Sequence, residues 1–224
     1  MNSLVEFHFR EGSLTLVLTT SRLDASIARD LREACAAGWP EGVERLAIDL
    51  AAVEFIDSSG IGALLGLYKR LPAAHGAVPL LHPRRAVRTV IELLRLRIAF
   101  HNQCRSCMAI RYSSGLEDGV TENLVCSLEK PQEADDLTDA EKAALAYADR
   151  LATDHLSITD ETFAELGKYF DAGETMELCL QVGTFVGYGR MAASLAMTDD
   201  LPDDYADMDA VLAPWRNAPA SLVG

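Results

Sequence analysis

Cys104 and Cys107 are separated by two residues in the stretch His101-Asn102-Gln103-Cys104-Arg105-Ser106-Cys107. Two thiols at that spacing can close a disulfide across the start of a helix and reopen it, so the chemistry on offer is thiol–disulfide exchange. The first cysteine is nearer the unpaired N–H groups of the helix start, which favours a thiolate at Cys104. Given a peroxide, one thiolate attacks the peroxide oxygen, becomes a sulfenic acid and is resolved by its neighbour. A structural zinc site needs four ligands, and this stretch offers one cysteine pair and His101. The plain alternative is two core cysteines, since free cysteine is commonly buried. Of the five cysteines, Cys35 and Cys179 lie in apolar helical patterns, and Cys126 has no partner at a telling spacing. An odd count without secretory features argues against a structural disulfide framework.

A second chemical stretch is Phe55-Ile56-Asp57-Ser58-Ser59-Gly60-Ile61-Gly62. Asp57 is a good N-cap, and Ile61, Leu64, Leu65 and Tyr68 follow at helical spacing. The hydroxyl of Ser58 then sits at an exposed helix start, where the free N–H groups tolerate an anion. Phosphorylation there would add a charge of about −1.5 to −2, enough to change a protein interface. The plain alternative is a capped helix whose first turn happens to hold two serines.

Alternating strands and helices position the serine. Leu4–Arg10 and Leu14–Thr19 alternate around a Glu11-Gly12-Ser13 turn, a hairpin signal. A helix follows from Asp24 to about Ala37, a strand over Arg45–Leu50, the Asp57 helix, a strand over Ala77–Leu81, and a helix from Pro83. The order β-β-α-β-α-β-α predicts helices on one face of a mixed sheet. The last helix continues through Glu92 toward the cysteines with no Gly, Ser or Pro linker. Beyond them the pattern is helical: Thr121–Leu128, a capping box at Thr138-Asp139-Ala140-Glu141, a helix opened by Thr159, and a second capping box at Asp171-Ala172-Gly173-Glu174. The final helix, Met176–Ala196, is apolar around most of its circumference. The acidic stretch from Thr198, with Pro202, Pro214 and Pro219, is expected to drape over the surface.

From Leu4 to about Phe100 the chain resembles the STAS domain of anti-sigma-factor antagonists. The residues that carry this are Leu23-Asp24-Ala25, Asp49-Leu50, the Phe55–Gly62 block and Ala86-Val87-Arg88. The resemblance implies that a partner anti-sigma kinase phosphorylates Ser58. From Glu92 to Ala196 the chain resembles the carboxymuconolactone decarboxylase / alkylhydroperoxidase D (AhpD-like) family. Glu92-Leu93, Arg97-Ile98-Ala99, Asn102, the Cys104/Cys107 pair and Leu137–Ala143 carry that likeness. Two-cysteine members are thiol-dependent peroxidases, and their pattern has a Glu twelve residues before the first cysteine, met here by Glu92. The second cysteine meets the peroxide in that family, which implies Cys107, whereas the helix-start argument favours Cys104; both stay open. The family's His four residues after the second cysteine is replaced by Arg111, which cannot be a base near neutral pH but can stabilise a thiolate by charge. His101 could supply a base instead. Plain alternatives are that Arg111 pairs with a surface acid and that His101 ends a helix. In one straight helix Glu92 would lie about 18 Å from Cys104. A relay between them therefore needs a break at residues 101–103 or a Glu92 from another subunit.

The sequence therefore predicts an α/β STAS-like domain over residues 1–91, an all-α AhpD-like helical domain over 92–198 and an acidic C-terminal tail over 199–224. Glu92 falls inside both family patterns. The leading expectation is a thiol-dependent peroxidase-like half fused to a phospho-switchable binding module. Its partners would be a hydroperoxide, a dithiol reductant and an anti-sigma kinase. The alternative is a non-enzymatic regulator whose helical half assembles copies. Decarboxylation of a lactone acid is weaker, because it leaves the redox pair without a role. The net charge of −14 repels nucleic acid. No apolar run approaches the roughly 20 residues that span a bilayer and no signal peptide is visible, so the expected location is cytoplasmic. Neither half implies a cofactor or a metal. The apolar final helix, with Gly183, Gly187 and Gly189, predicts a homo-oligomer.

Overall fold

A computed structural model of the chain describes residues 4–71, 85–196, 198, 201–205, 209–216 and 221–223. It forms two compact units, residues 1–81 with 159–177, and residues 82–158 with 178–224.

In the first unit, β1 (Val5–Arg10) and β2 (Ser13–Leu18) form the expected hairpin, with Val5 opposite Leu18 and Arg10 opposite Ser13. Glu11 and Gly12 both have positive φ, 50° and 75°. That two-residue loop matches the twist of the paired strands. After the short β3 (Arg22–Leu23), α1 (Ala25–Gly38) starts at Asp24, whose side chain accepts from the Ser26 N–H. The chain then forms β4 (Arg45–Asp49), parallel to β2, and β5 (Phe55–Ile56), parallel to β3. Leu14, Leu16, Leu18, Leu46 and Ile48 alternate onto the buried face of the sheet. Helix α2 (Ser58–Tyr68) follows, capped by Asp57. The strand expected over Ala77–Leu81 and the helix start at Pro83 lie outside the described residues. Helix α8 (Asp160–Leu166) also belongs to this unit, with Phe163, Leu166 and Phe170 buried.

The second unit is built on α3 (Arg85–His101), whose Leu93, Leu94, Leu96 and Ile98 are fully buried. It packs against α7 (Asp139–Thr153), which opens with the expected capping box at Thr138 and Glu141. Between them come α4 (Arg105–Ala109), β6 (Ile110–Tyr112), α5 (Ser113–Glu117) and α6 (Glu122–Ser127). The sequence reading divides the chain at residues 91 and 92, inside α3; the helix lies whole in this unit. Helix α9 (Ala172–Ser194) starts in the first unit at the second capping box, where the Glu174 N–H donates to the Asp171 carboxylate at 2.9 Å and the Asp171 N–H to the Glu174 carboxylate at 3.0 Å, and continues in this unit from Leu178. Leu178, Val182 and Ala192 are buried along it, while Tyr188, Met191 and Leu195 are exposed. The strand β7 (Ser221–Val223) pairs in parallel with β6.

The C-terminal stretch departs from the expectation that it drapes over the surface. Tyr205, Leu212 and Ala213 are buried, and Tyr205 and Leu212 join Ala99, Met108 and Ala109 in one apolar cluster. Its acidic composition hides a few well-spaced apolar side chains, which suffice to anchor it.

Gly60 shows how tightly the first unit is built. A Cβ there would lie 2.0 Å from the Leu23 carbonyl oxygen, whereas one at Gly62 meets nothing within 4 Å. We expect Gly60→Ala to lose on the order of 3 kcal/mol or more in urea unfolding, because a backbone must move. Gly62→Ala should be neutral or stabilising by up to roughly 1 kcal/mol, from helix propensity alone. Equal stability of the two variants would show that the Leu23 contact is not a constraint.

Candidate functional site

Helix α3 ends where the dithiol begins. The Cys104 N–H reaches the Ala99 carbonyl at 3.1 Å and the Gln103 N–H reaches Phe100 at 3.0 Å, with Gln103 at φ 49°. This is a left-handed helix stop placed on a non-glycine residue, at a cost of about 1 kcal/mol. It supplies the break between Glu92 and the cysteines, and α4 returns against α3. Cys104 and Cys107 form a disulfide with Cα atoms 5.2 Å apart. Cys104 caps α4, its sulfur accepting from the Cys107 N–H at 3.4 Å. Cys104 is buried and Cys107 is partly exposed. Accessibility therefore favours Cys107 for an incoming reagent, and the helix-start hydrogen bond falls to Cys104.

Glu92 reaches the pair through an arginine. Glu92 and Arg95 are 7% and 8% exposed, and both Glu92 oxygens accept from Arg95, at 2.7 and 2.6 Å. The same guanidinium donates to the Cys107 carbonyl at 2.7 Å and the Ile110 carbonyl at 2.8 Å. It also lies 4.7 Å over the Tyr112 ring. Gly115 gives Glu92 its space, since a Cβ there would come 2.9 Å from Glu92 Cγ. The arrangement fixes the backbone of the second cysteine against α3.

Arg111 is 1% exposed. It donates to Glu122 at 2.8 and 3.2 Å, to the Met108 carbonyl at 2.8 Å and to the Pro214 carbonyl at 2.8 Å. His101 Nε2 is 2.7 Å from Asp149 Oδ1, and Arg97 holds the same carboxylate at 2.7 and 3.1 Å. Burial works to raise the Asp149 pKa, but the hydrogen bonds from His101 and Arg97 outweigh it and leave the pKa lowered. Arg95 is legible in the sequence as the i+3 neighbour of Glu92 on a helix. Asp149 is 48 residues from His101 and gives no local signal.

The remaining thiols are separate from this site. Burial pushes Cys179 up to about 11, against a hydrogen bond from Tyr147, and burial also raises Cys35. Cys126 is exposed. Among the described residues, no group of three or more His, Cys, Asp and Glu side chains is arranged to hold a metal ion. No helix among them is long and apolar enough to cross a membrane.

The serine site lies in the first unit. Buried Asp57 accepts from the Gly60 N–H at 2.9 Å and from the Ala25 N–H at 3.2 Å, so one carboxylate joins the starts of α1 and α2. Ser58 is exposed, and its hydroxyl donates to Asp160 Oδ1 at 3.3 Å. The sequence pattern gave no sign of that partner, 102 residues away.

The lowered pKa of Asp149 fixes a direction for stability. Its contribution is full above the ordinary value of 3.8 and is lost as pH falls through the lower folded-state value. Asp149→Asn should therefore be less stable than wild type at pH 7, with the gap closing below pH 3.8. Chemical unfolding across that range measures it; a constant gap would mean the carboxylate charge contributes nothing.

Comparison with known proteins bears on the serine site. Two uncharacterized proteins of Mycobacterium tuberculosis, Rv2313c of strain H37Rv and its counterpart in strain CDC 1551 / Oshkosh, are each 32% identical over 109 residues. That is 48% of this chain and 38% of theirs, so the match spans well under half of those relatives. The uncharacterized protein YdfG of Bacillus subtilis is 24% identical over 109 residues, 48% of this chain and 74% of its own length. The STAS domain family matches residues 7–104, which takes in the Ser58 block, runs through α3 and stops at Cys104. Residues 7–104 of this chain are a STAS domain, followed by a helical C-terminal region.

Proposed function

We propose that the chain is a regulator of the anti-sigma-factor antagonist type, with Ser58 as its switch. The observation that carries this is the exposed Ser58 hydroxyl at the start of α2, inside a STAS domain. Asp57 occupies the capping position and leaves the serine hydroxyl outward. An anti-sigma kinase would transfer a phosphoryl group from ATP to that hydroxyl. The product, with a charge of about −1.5 to −2, would face Asp160 and repel it. A partner interface that includes this helix start would then be altered in both charge and shape. In this reading the helical region holds copies of the chain together through the exposed Tyr188 and Met191 of α9 and Leu195 just beyond it. With an anti-sigma kinase and labelled ATP, Ser58→Ala should abolish labelling and Ser59→Ala should retain it. Equal labelling of wild type and Ser58→Ala would reject Ser58 as the acceptor.

A second reading rests on the disulfide at the start of α4. The helical region would act as a thiol-dependent peroxidase of the alkylhydroperoxidase type. The Cys107 thiolate attacks the outer peroxide oxygen; with one proton taken up, the alcohol leaves and Cys107 becomes a sulfenic acid. The Cys104 thiol displaces water from it to form the disulfide. A dithiol reductant restores both thiols and becomes a disulfide itself. Exchange with that reductant starts at partly exposed Cys107, and the Cys104 thiolate leaves, stabilised by the Cys107 N–H. Glu92 and Arg95 hold the Cys107 backbone for this step. Peroxide consumption with a dithiol should be seen for wild type and be lost in both Cys104→Ser and Cys107→Ser. Consumption that survives both substitutions would remove the dithiol from the reaction.

A further inference from the structure

The C-terminal stretch is fastened to the backbone around the dithiol by three side chains. Gln103 donates to the Leu212 carbonyl and accepts from the Leu212 N–H, both at 3.1 Å. Arg105 donates to the Tyr205 carbonyl at 2.9 Å and to the Ala210 carbonyl at 3.0 Å. Arg111 donates to the Pro214 carbonyl at 2.8 Å. Gln103 and Arg105 are the residues on either side of Cys104. Beneath these bonds Tyr205 and Leu212 pack with Met108 and Ala109, and Cys107 lies against the same cluster. The latch and the disulfide therefore share one short piece of backbone.

We propose that Tyr205 and residues 209–216 form a redox-controlled strap, latched while Cys104 and Cys107 are joined and loosened when they are reduced. The inference rests on the pair cycling between disulfide and dithiol. A dithiol reductant supplies two electrons and two protons: the S–S bond breaks, two thiols form, and the reductant closes to its own disulfide. Two bonded sulfurs must then part to non-bonded contact. Arg95 fixes the Cys107 backbone, so the movement falls on the Cys107 side chain, which touches the strap cluster, and on the turn Gln103–Arg105 that carries Cys104. Gln103 sits at φ 49°, a conformation that a side-chain-bearing residue keeps only when its surroundings hold it. Freed from the closed ring, the turn can relax and withdraw the Gln103 and Arg105 bonds together. Loosening the strap uncovers the apolar surface of Ala99, Met108 and Ala109 and the Cys107 side chain beside it. Reduction would thus open the site to its next reagent, and oxidation would close it.

Hydrogen exchange followed by mass spectrometry on the full chain tests this, with and without dithiothreitol, and with alkylation to count thiols. The peptide over 209–216 should exchange about tenfold faster in the reduced protein than in the oxidised one. Arg105→Ala and Gln103→Ala should exchange fast in both states, and Cys104→Ser/Cys107→Ser should match reduced wild type whatever the reductant. Equal protection in oxidised and reduced wild type, with two new alkylated thiols proving reduction, would overturn the strap while leaving the dithiol reading intact. Failure of excess reductant to yield those thiols would overturn the strap together with the cycling pair on which it rests.

Discussion

A guanidinium group taken out of water must have its donors matched, and the second unit depends on that requirement. Arg95, Arg105 and Arg111 are all buried, and Arg97 is nearly so. Each spends its planar fork on backbone carbonyls as well as, or instead of, carboxylates. Arg95 takes Cys107 and Ile110, Arg97 takes Leu128, Arg105 takes Tyr205 and Ala210, and Arg111 takes Met108 and Pro214. The carbonyls so engaged lie in the last turn of the short α4, at the start of β6, just after α6 and in the C-terminal stretch. The disulfide turn, the loop after α6 and the C-terminal stretch are thereby held by side chains from α3, α4 and β6. A Lys at any of these positions would bring a point charge without the fork, and could not bridge two carbonyls in fixed directions.

The same requirement explains what the sequence allowed and what it hid. The hairpin, the Asp57 cap, both capping boxes and the course of α3 were legible, because each is set by residues within four positions of one another. From the sequence, a relay between Glu92 and the cysteines conflicts with a straight helix and needs a break in it; in the structure the break is present and both Glu92 oxygens accept from Arg95. The left-handed Gln103 that resolves the conflict carries no sequence mark, since glycine or asparagine is the usual choice for such a stop. The partners of Ser58 and His101 lie 102 and 48 residues away, and no local pattern announces an acid at such a distance. The C-terminal stretch misled for another reason. Net charge there suggests solvent, while burial is decided by a few side chains and by donors elsewhere that need its carbonyls.

In the first unit the constraint is steric as well as electrostatic. Asp57 satisfies N–H groups at the starts of two helices, Gly60 in the first turn of α2 and Ala25 at the start of α1. For one carboxylate to do both, the two starts must be close, and Gly60 permits that by leaving room for the Leu23 carbonyl. The Asp-Ser-Ser-Gly block is thus two structural residues around two serines, of which Ser58 is the exposed one. A helix start assembled in this way presents its first hydroxyl in one fixed direction. That is what a phosphoryl-transfer partner would need to find.

The path of the chain ties these sites to residues far along it. The first unit is left at residue 81, re-entered at 159 and left again at 177. The residue facing Ser58 therefore arrives only after the dithiol, α6 and α7 have been made. Asp160 is the first residue of α8, and Phe163, Leu166 and Phe170 behind it are buried, so its place beside Ser58 is held by core packing. A dianionic phosphate at Ser58 would set Coulomb repulsion against that apolar burial. A dianion against one carboxylate at contact is opposed by roughly 2 kcal/mol in water and about 8 where screening is weaker, and an exposed contact sits near the low end. Burying one Phe or Leu side chain is worth about 1.5 to 3 kcal/mol. With three such side chains holding α8, repulsion at one exposed contact is too weak to expel the segment. It is strong enough to turn the Asp160 side chain away, so a phosphate at Ser58 would act first by changing the local surface and only secondarily by moving the backbone.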